Sequence, residues 1–301
     1  MSKPILFTGS GVALVTPMHA DGRINYEKLE QLVDWHVAEG TDSLIICGTT
    51  GEAPTLKMEE HLEAIRVAVA RAAGRIPVIA GTGSNDTAHC IQSCRSAKEI
   101  GADGLLLVTP YYNKTSQRGL VAHYEAVAAA TDLPLILYNV PSRTGLNITS
   151  DTAAKLYREV DTVVGIKQAS PDLAATGYLA SVSEIPIYSG NDDLTVPILS
   201  LGGMGVITVL GNVVPAVTHD ICDLWFKGQT DLSRDLFLHW MDLAQGLFTD
   251  VNPVPVKEAM NRMGFAVGEC RLPLYPMEER AEETLGAVLR RHGLIGKNLT
   301  E

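Results

Sequence analysis

An α/β fold, a parallel (β/α)8 barrel followed by a C-terminal helical extension, is what this sequence predicts, and three observations point to it. Short apolar runs alternate with amphipathic helical patterns, an order that requires parallel pairing through right-handed crossovers. The runs number eight, whereas an open doubly wound sheet usually stops at about six. They also lack the polar alternation of a half-exposed strand, so they read as strands buried on both faces. The expected division is a catalytic barrel over residues 1–228 and an extension over 229–301.

In order, the strand runs are 12–16, 43–47, 76–81, 104–109, 133–139, 162–167, 185–190 and 204–209. Helical patterns separate and follow them at 26–39, 59–73, 87–100, 117–130, 151–160, 172–181, 192–201 and 215–226. In the first, Leu29, Leu32, Val33, His36 and Val37 share one face, with Asn25 suited to cap the start and Gly40 the end. Glu59 and Glu60 open the second as first-turn acids favoured by the helix dipole. Cys90 and Cys94 belong to the core face of the third with Ile91, and Gly202-Gly203 ends a later helix. Patterns at 231–248, 254–263 and 277–291 form the extension.

Composition narrows the function. Hydrophobic residues make up 46% of the 301, enough for a large core. A formal charge of −11 argues against a nucleic-acid surface or an anionic membrane, while leaving room for a local basic pocket that takes a small carboxylate. Five cysteines without a C-x-x-C pair point to reduced thiols and a cytoplasmic protein. The N-terminal stretch lacks the pattern of a secretory leader, and no apolar run is long enough to span a membrane. The eight histidines show no H-E-x-x-H and no clustering at ligand spacing, so no metal is expected. Gly81-x-Gly83 lacks the rest of a dinucleotide fingerprint, and no P-loop or Gly-x-Ser-x-Gly elbow occurs.

In such a barrel, catalytic residues belong at the C-terminal ends of strands and in the loops that follow. Lys167 ends the sixth run. The other nine lysines (Lys3, Lys28, Lys57, Lys98, Lys114, Lys155, Lys227, Lys257 and Lys297) lie in polar loops or helical patterns, where solvated ammonium groups are expected. At the end of a buried strand, loss of water favours the neutral, nucleophilic amine, the alternative being a strand cap with its head in water. After the second run, Gly48-Thr49-Thr50-Gly51-Glu52 offers two hydroxyls and several N–H groups to a small anion. The alternative is a tight turn whose threonines serve the next helix. Tyr138 ends the fifth run as a proton carrier or an ordinary rim tyrosine. Arg143, in the loop that follows, presents a fork suited to a carboxylate. Tyr111-Tyr112 is an exposed aromatic pair, with an intersubunit contact as its other reading.

Several long motifs then occur in one order. They are Gly-Val-Ala-Leu-Val-Thr-Pro at 11–17, Gly-Thr-Thr-Gly-Glu at 48–52, Ala-Gly-Thr-Gly-Ser-Asn at 80–85 and Thr-Pro-Tyr-Tyr-Asn at 109–113. Tyr-Asn-Val-Pro-Ser-Arg-Thr-Gly at 138–145, Gly-Ile-Lys at 165–167, Asn-Pro-Val-Pro-Val-Lys at 252–257 and Cys-Arg-Leu-Pro-Leu at 270–274 complete the set. With them the chain resembles, over nearly its whole length, the N-acetylneuraminate lyase superfamily of pyruvate-dependent class I aldolases, most closely its dihydrodipicolinate synthase family. The resemblance implies a TIM barrel without a cofactor, in which Lys167 forms a Schiff base with pyruvate and the resulting enamine attacks L-aspartate 4-semialdehyde, a step of lysine and diaminopimelate biosynthesis. It implies that Thr50 holds the pyruvate carboxylate and that Tyr138, Thr49 and a neighbouring subunit's Tyr112 relay protons. Arg143 would clamp the aldehyde's carboxylate, with Gly190 and Ile207 lining the pocket through backbone groups. A homotetramer built as a dimer of dimers is implied too.

Two other activities stay open at this point. One is another Schiff-base aldolase, acting on N-acetylneuraminate or 2-keto-3-deoxy sugar acids, although such lyases carry smaller or apolar residues in place of Arg143. The other is a barrel that only binds a keto acid. By the same resemblance His61, Asn85 and Tyr111 match members inhibited by L-lysine, whereas Met58 replaces a polar residue and His89 a glutamate. Weak or absent inhibition is therefore expected.

Overall fold

The computed structural model describes residues 3–296, so Lys297 lies outside the described residues. Eight strands follow one another in chain order round a closed parallel barrel. They are β1 (Gly9–Ala13), β2 (Ser43–Ile46), β3 (Val78–Gly81), β4 (Gly104–Val108), β5 (Leu135–Asn139), β6 (Val163–Gln168), β7 (Ile187–Ser189) and β8 (Gly205–Thr208). Closure comes from β8 pairing with β1, Gly11 opposite Ile207, which leaves the sheet no open edge.

Helices α1 (Tyr26–Ala38), α2 (Met58–Ala72), α3 (Thr87–Ile100) and α4 (Gln117–Ala128) follow the first four strands. A single turn, α5 (Pro141–Thr144), precedes α6 (Ser150–Glu159); then come α7 (Leu173–Val182), α8 (Thr195–Ser200) and α9 (Pro215–Phe226). The extension holds α10 (Thr230–His239), α11 (Met241–Gly246), α12 (Val254–Arg262) and α13 (Glu279–Arg291). Side-chain oxygens of Asn25, Asp86, Ser116, Thr149 and Asp172 accept the free N–H groups that open α1, α3, α4, α6 and α7. Each such cap contributes about 1 kcal/mol and tells the chain where a βα loop ends.

Two cores result from the two-residue period of the strands. Inside the barrel, Ile45, Ile79, Leu106, Ile136 and Ile207 pack with Phe7 and Tyr188. The Phe7 and Tyr188 rings stack at 4.4 Å, and Tyr188 Oη donates to the Phe7 carbonyl at 2.6 Å. A larger layer, including Val12, Leu44, Leu105, Ile166 and the inner faces of the helices, fills the space outside. On β6, Ile166 joins that outer layer, whereas Lys167 is paired in register with Tyr138 of β5 and Tyr188 of β7, both of the inner core.

The structure corrects five expectations. β1 begins three residues before the predicted run, because Gly9 and Gly11, which add no apolar side chain to the run, are strand residues in close contact: a Cβ on Gly11 would meet the Phe7 ring at 2.7 Å. β2 stops at Ile46, since Cys47 turns to φ +57. The single helix expected at 231–248 breaks at Trp240 into α10 and α11, and that expected at 192–201 is a 3-10 turn at Asp192–Leu194 followed by α8. Finally, neither Lys3 nor Lys257 is freely solvated. Lys3 donates to the carbonyls of Tyr157, Val160 and Val163 at the end of α6, and Lys257 is only 1% exposed.

Candidate active site

Lys167 is 5% exposed and sits at the rim end of β6, where the strand delivers it inward. Its Nζ lies 4.5 Å from the centroid of the Tyr138 ring, and among the described residues it makes no hydrogen bond. A ring face stabilises an ammonium by about 0.5–2 kcal/mol, far less than a carboxylate does, and leaves the nitrogen open to attack a carbonyl. The charge of Lys167 also reaches Asp192, whose carboxyl burial pushes upward. Opposing that rise are the Thr208 hydroxyl and the Val209 and Leu210 N–H groups, which donate to Asp192 Oδ2 at 3.0 and 2.9 Å.

The loop after β2 is held rigidly from three sides. Both Cys47 and Glu52 take the left-handed conformation, φ +57, which folds the four residues between them back on themselves. Thr16 Oγ1 donates to the Gly51 carbonyl at 2.7 Å, and Glu52 N–H to the Thr49 carbonyl at 3.0 Å. The Glu52 carboxylate accepts Lys257 Nζ at 2.8 Å and the Arg271 N–H at 2.9 Å. Lys257 completes its ammonium with the Thr16 and Glu269 carbonyls at 3.1 and 2.7 Å. Two glycines let neighbouring loops close on this one: a Cβ at Gly81 would stand 2.4 Å from the Cys47 carbonyl oxygen, and one at Gly83 would stand 2.3 Å from the Val108 nitrogen.

A cavity of about 310 Å³ opens on the rim, lined by Thr49, Tyr138 and Arg143 together with Gly48, His61 and Tyr111. Lys167 adjoins it through its contact with Tyr138. Thr50, 2% exposed, accepts a hydrogen bond from Asn252 Nδ2 at 3.0 Å. The exposed guanidinium of Arg143, carried on α5, donates through Nη2 to the Asn252 carbonyl at 3.2 Å. Thus Thr49, Tyr138 and Arg143 share one cavity wall, while Lys167 stands behind Tyr138 and Thr50 joins Arg143 through Asn252, neither of the two being among the lining residues. Among the described residues, however, no hydrogen bond joins Tyr138 to Thr49. Gly190 and Ile207 do not line the cavity: Gly190 N–H bonds the Gln168 carbonyl at 2.7 Å and Ile207 is fully buried inside the barrel. Tyr112 points outward at φ +67, 91% exposed and away from this subunit's cavity.

The profile of the Dihydrodipicolinate synthetase family matches residues 6–292. The chain belongs to that family. The 4-hydroxy-tetrahydrodipicolinate synthase of Thermoanaerobacter sp. (strain X514) is 51% identical over 292 residues, covering 96% of this chain and 98% of that one. The crystal structure of dihydrodipicolinate synthase from Aquifex aeolicus superimposes with a TM-score of 0.94 at 44% identity, covering 97% of this chain and all of the other. The chloride-inhibited enzyme from Acinetobacter baumannii, complexed with pyruvate, gives 0.93 at 43% identity, with 96% of this chain and 99% of that one covered. Among the described residues no helix is long and apolar enough to cross a membrane.

Sequence reasoning assigned no role to Asn252 or to the Glu52–Lys257 pair. A signal for the pair was present: Lys257 is surrounded by Val254, Val256, Ala259 and Met260, an apolar company that no solvated lysine needs. Nothing local marks Asn252, whose importance comes only from the fold bringing it beside Thr50.

Proposed function

We propose that the chain acts as a 4-hydroxy-tetrahydrodipicolinate synthase, condensing pyruvate with L-aspartate 4-semialdehyde, and that Lys167 is its nucleophile. The observation that carries the residue assignment is the buried Lys167 amine lying over Tyr138 with no hydrogen-bond partner among the described residues. The amine adds to the pyruvate carbonyl carbon, and loss of water gives the Schiff base. A proton leaves the methyl carbon, and the resulting enamine attacks the aldehyde carbon, whose oxygen takes up a proton to become the hydroxyl. The substrate's own amino group then displaces Lys167 at the imine carbon, closing the ring and freeing the enzyme.

In this reading the Thr50 hydroxyl and the neighbouring N–H groups hold the pyruvate carboxylate, and Arg143 takes the carboxylate of the incoming aldehyde. Tyr138, with Thr49 beside it, carries protons to and from the reacting oxygen. The outward Tyr112 serves a neighbouring subunit, and its exposure supports a homo-oligomer; the arrangement proposed, a tetramer of two dimers, rests on the resemblance to the family. Gly190 and Ile207 contribute only backbone groups. The reaction calls for no cofactor, the compartment is the cytoplasm, and the barrel over 1–228 carries the chemistry while 229–301 braces it.

Borohydride treatment with pyruvate, followed by mass measurement of peptides, tests the assignment. One reduced pyruvate adduct on Lys167 is expected, and none with Lys167→Ala. Condensation with L-aspartate 4-semialdehyde is expected over cleavage of N-acetylneuraminate or 2-keto-3-deoxygluconate; cleavage as the sole activity would overturn the synthase reading.

A further inference from the structure

We infer that Asn252, from the extension, is the positioning residue that aims the Thr50 hydroxyl at the keto acid's carboxylate and ties that site to Arg143; the inference rests on the roles proposed above for Thr50 and Arg143. Three contacts support it. Asn252 Nδ2 donates to Thr50 Oγ1 at 3.0 Å. A hydroxyl that accepts there must send its own proton elsewhere, so Thr50 is set as a donor before the anion arrives. The main-chain carbonyl of Asn252, which side-chain substitution leaves in place, accepts Arg143 Nη2 at 3.2 Å, so one residue touches both proposed carboxylate-binding groups. Lastly, Asn252 Oδ1 is buried with no partner among the described residues, which costs about 1–3 kcal/mol and makes the amide a poor choice for stability alone.

Arg143 and Thr50 come from the loops after β5 and β2, whereas Asn252 comes from the turn before α12. Lys257, in the first turn of that helix, grips Glu52, two residues beyond Thr50 in the same loop. The extension thus holds the second half of the loop at two points, and Asn252 is the one that touches the hydroxyl proposed to meet substrate.

The discriminating variant is Asn252→Asp, which keeps the shape and turns the donor into an acceptor. The Thr50 proton would then be drawn to the new carboxylate and lost to the substrate. The KM for pyruvate is expected to rise about tenfold or more, in line with one lost charge-assisted bond, and kcat at saturating pyruvate to change less than threefold. Asn252→Ala should raise the KM by a smaller factor. In a Thr50→Val background, Asn252→Asp should add little, since the hydroxyl it misdirects is already gone. Both single variants are checked for wild-type thermal melting, and a variant that melts early is replaced by Asn252→Ser for the same cycle. A KM unchanged in Asn252→Asp, or an effect of equal size with and without the Thr50 hydroxyl, overturns the inference. Failure of the wild-type protein to trap pyruvate at Lys167 instead overturns the reading beneath it, so the two failures are distinguishable.

Discussion

Among the described residues two lysines are buried, and their surroundings are opposite. Lys257 is 1% exposed and spends its ammonium on the Glu52 carboxylate and two carbonyls, all within 3.1 Å. Lys167 is 5% exposed and faces a tyrosine ring. Burial alone therefore does not mark a nucleophile. An amine whose hydrogen bonds are all taken braces the loop behind the cavity, whereas one that among the described residues has no acceptor is sterically free to meet a carbonyl.

The largest expected effect separates the two directly. Lys167→Ala should lower kcat/KM by roughly a thousandfold or more, with melting temperature within a few degrees of wild type. Lys257→Met should show the reverse emphasis. Removing one partner of a buried pair leaves Glu52 charged without compensation, a loss of about 3–5 kcal/mol and, for a domain this size, on the order of 10 °C in melting temperature. Adding Glu52→Gln should recover part of that loss, because the uncompensated charge is then gone. Equal destabilisation by the Lys167 and Lys257 variants would break the comparison.

The same contrast explains what could be read from the sequence. Eight apolar runs in alternation with helical patterns were enough for the barrel, because burial on both faces leaves a local imprint in every strand. Lys167, Tyr138, Thr49, Thr50 and Arg143 were legible because a barrel puts strand ends on one rim. Lys257 was misread as solvated because its partner lies 205 residues away, across the chain. β1 was misplaced for a related reason: whether Gly11 turns or packs depends on Phe7 and Ile45, which periodicity does not see. Asn252 was missed as a side-chain contact to Thr50 that exists only once the extension folds back.

A third buried base extends the comparison to proton uptake. His36 is fully buried, bonds Thr41 Oγ1 through Nδ1 at 3.0 Å, and among the described residues has no partner at Nε2. Burial pushes it down to about 3 from an ordinary 6.5, so it stays neutral in the fold. Unfolding restores the ordinary value, so the unfolded chain binds the extra proton between those two pH values. Its contribution to stability is whole above about pH 6.5 and is lost as the pH falls toward 3. At pH 5 the loss from this one residue is about 2 kcal/mol. Urea midpoints measured from pH 7 to pH 5 should fall in the wild type and fall less in His36→Asn, where nothing titrates.

The smallest expected effect concerns an ammonium from outside. L-lysine entering the cavity would bring the same charged group that Lys257 carries, and Lys257 shows what burial of that group demands: a carboxylate and further acceptors. Among the described residues the cavity lining includes Met58, His61, Ser84, His89 and Tyr111 but no aspartate or glutamate. His61 Nε2 faces the Gly81 carbonyl at 2.9 Å and therefore donates there, so that nitrogen is not free to accept from the ammonium. Without a counter-ion a bound ammonium forgoes about 2–5 kcal/mol. Assays with L-lysine up to millimolar concentrations should therefore show little or no loss of rate, and half-inhibition below a millimolar would mean that another acceptor meets the charge. His89→Glu, which adds a carboxylate at the cavity wall, should move inhibition to lower concentration if the missing anion is the reason.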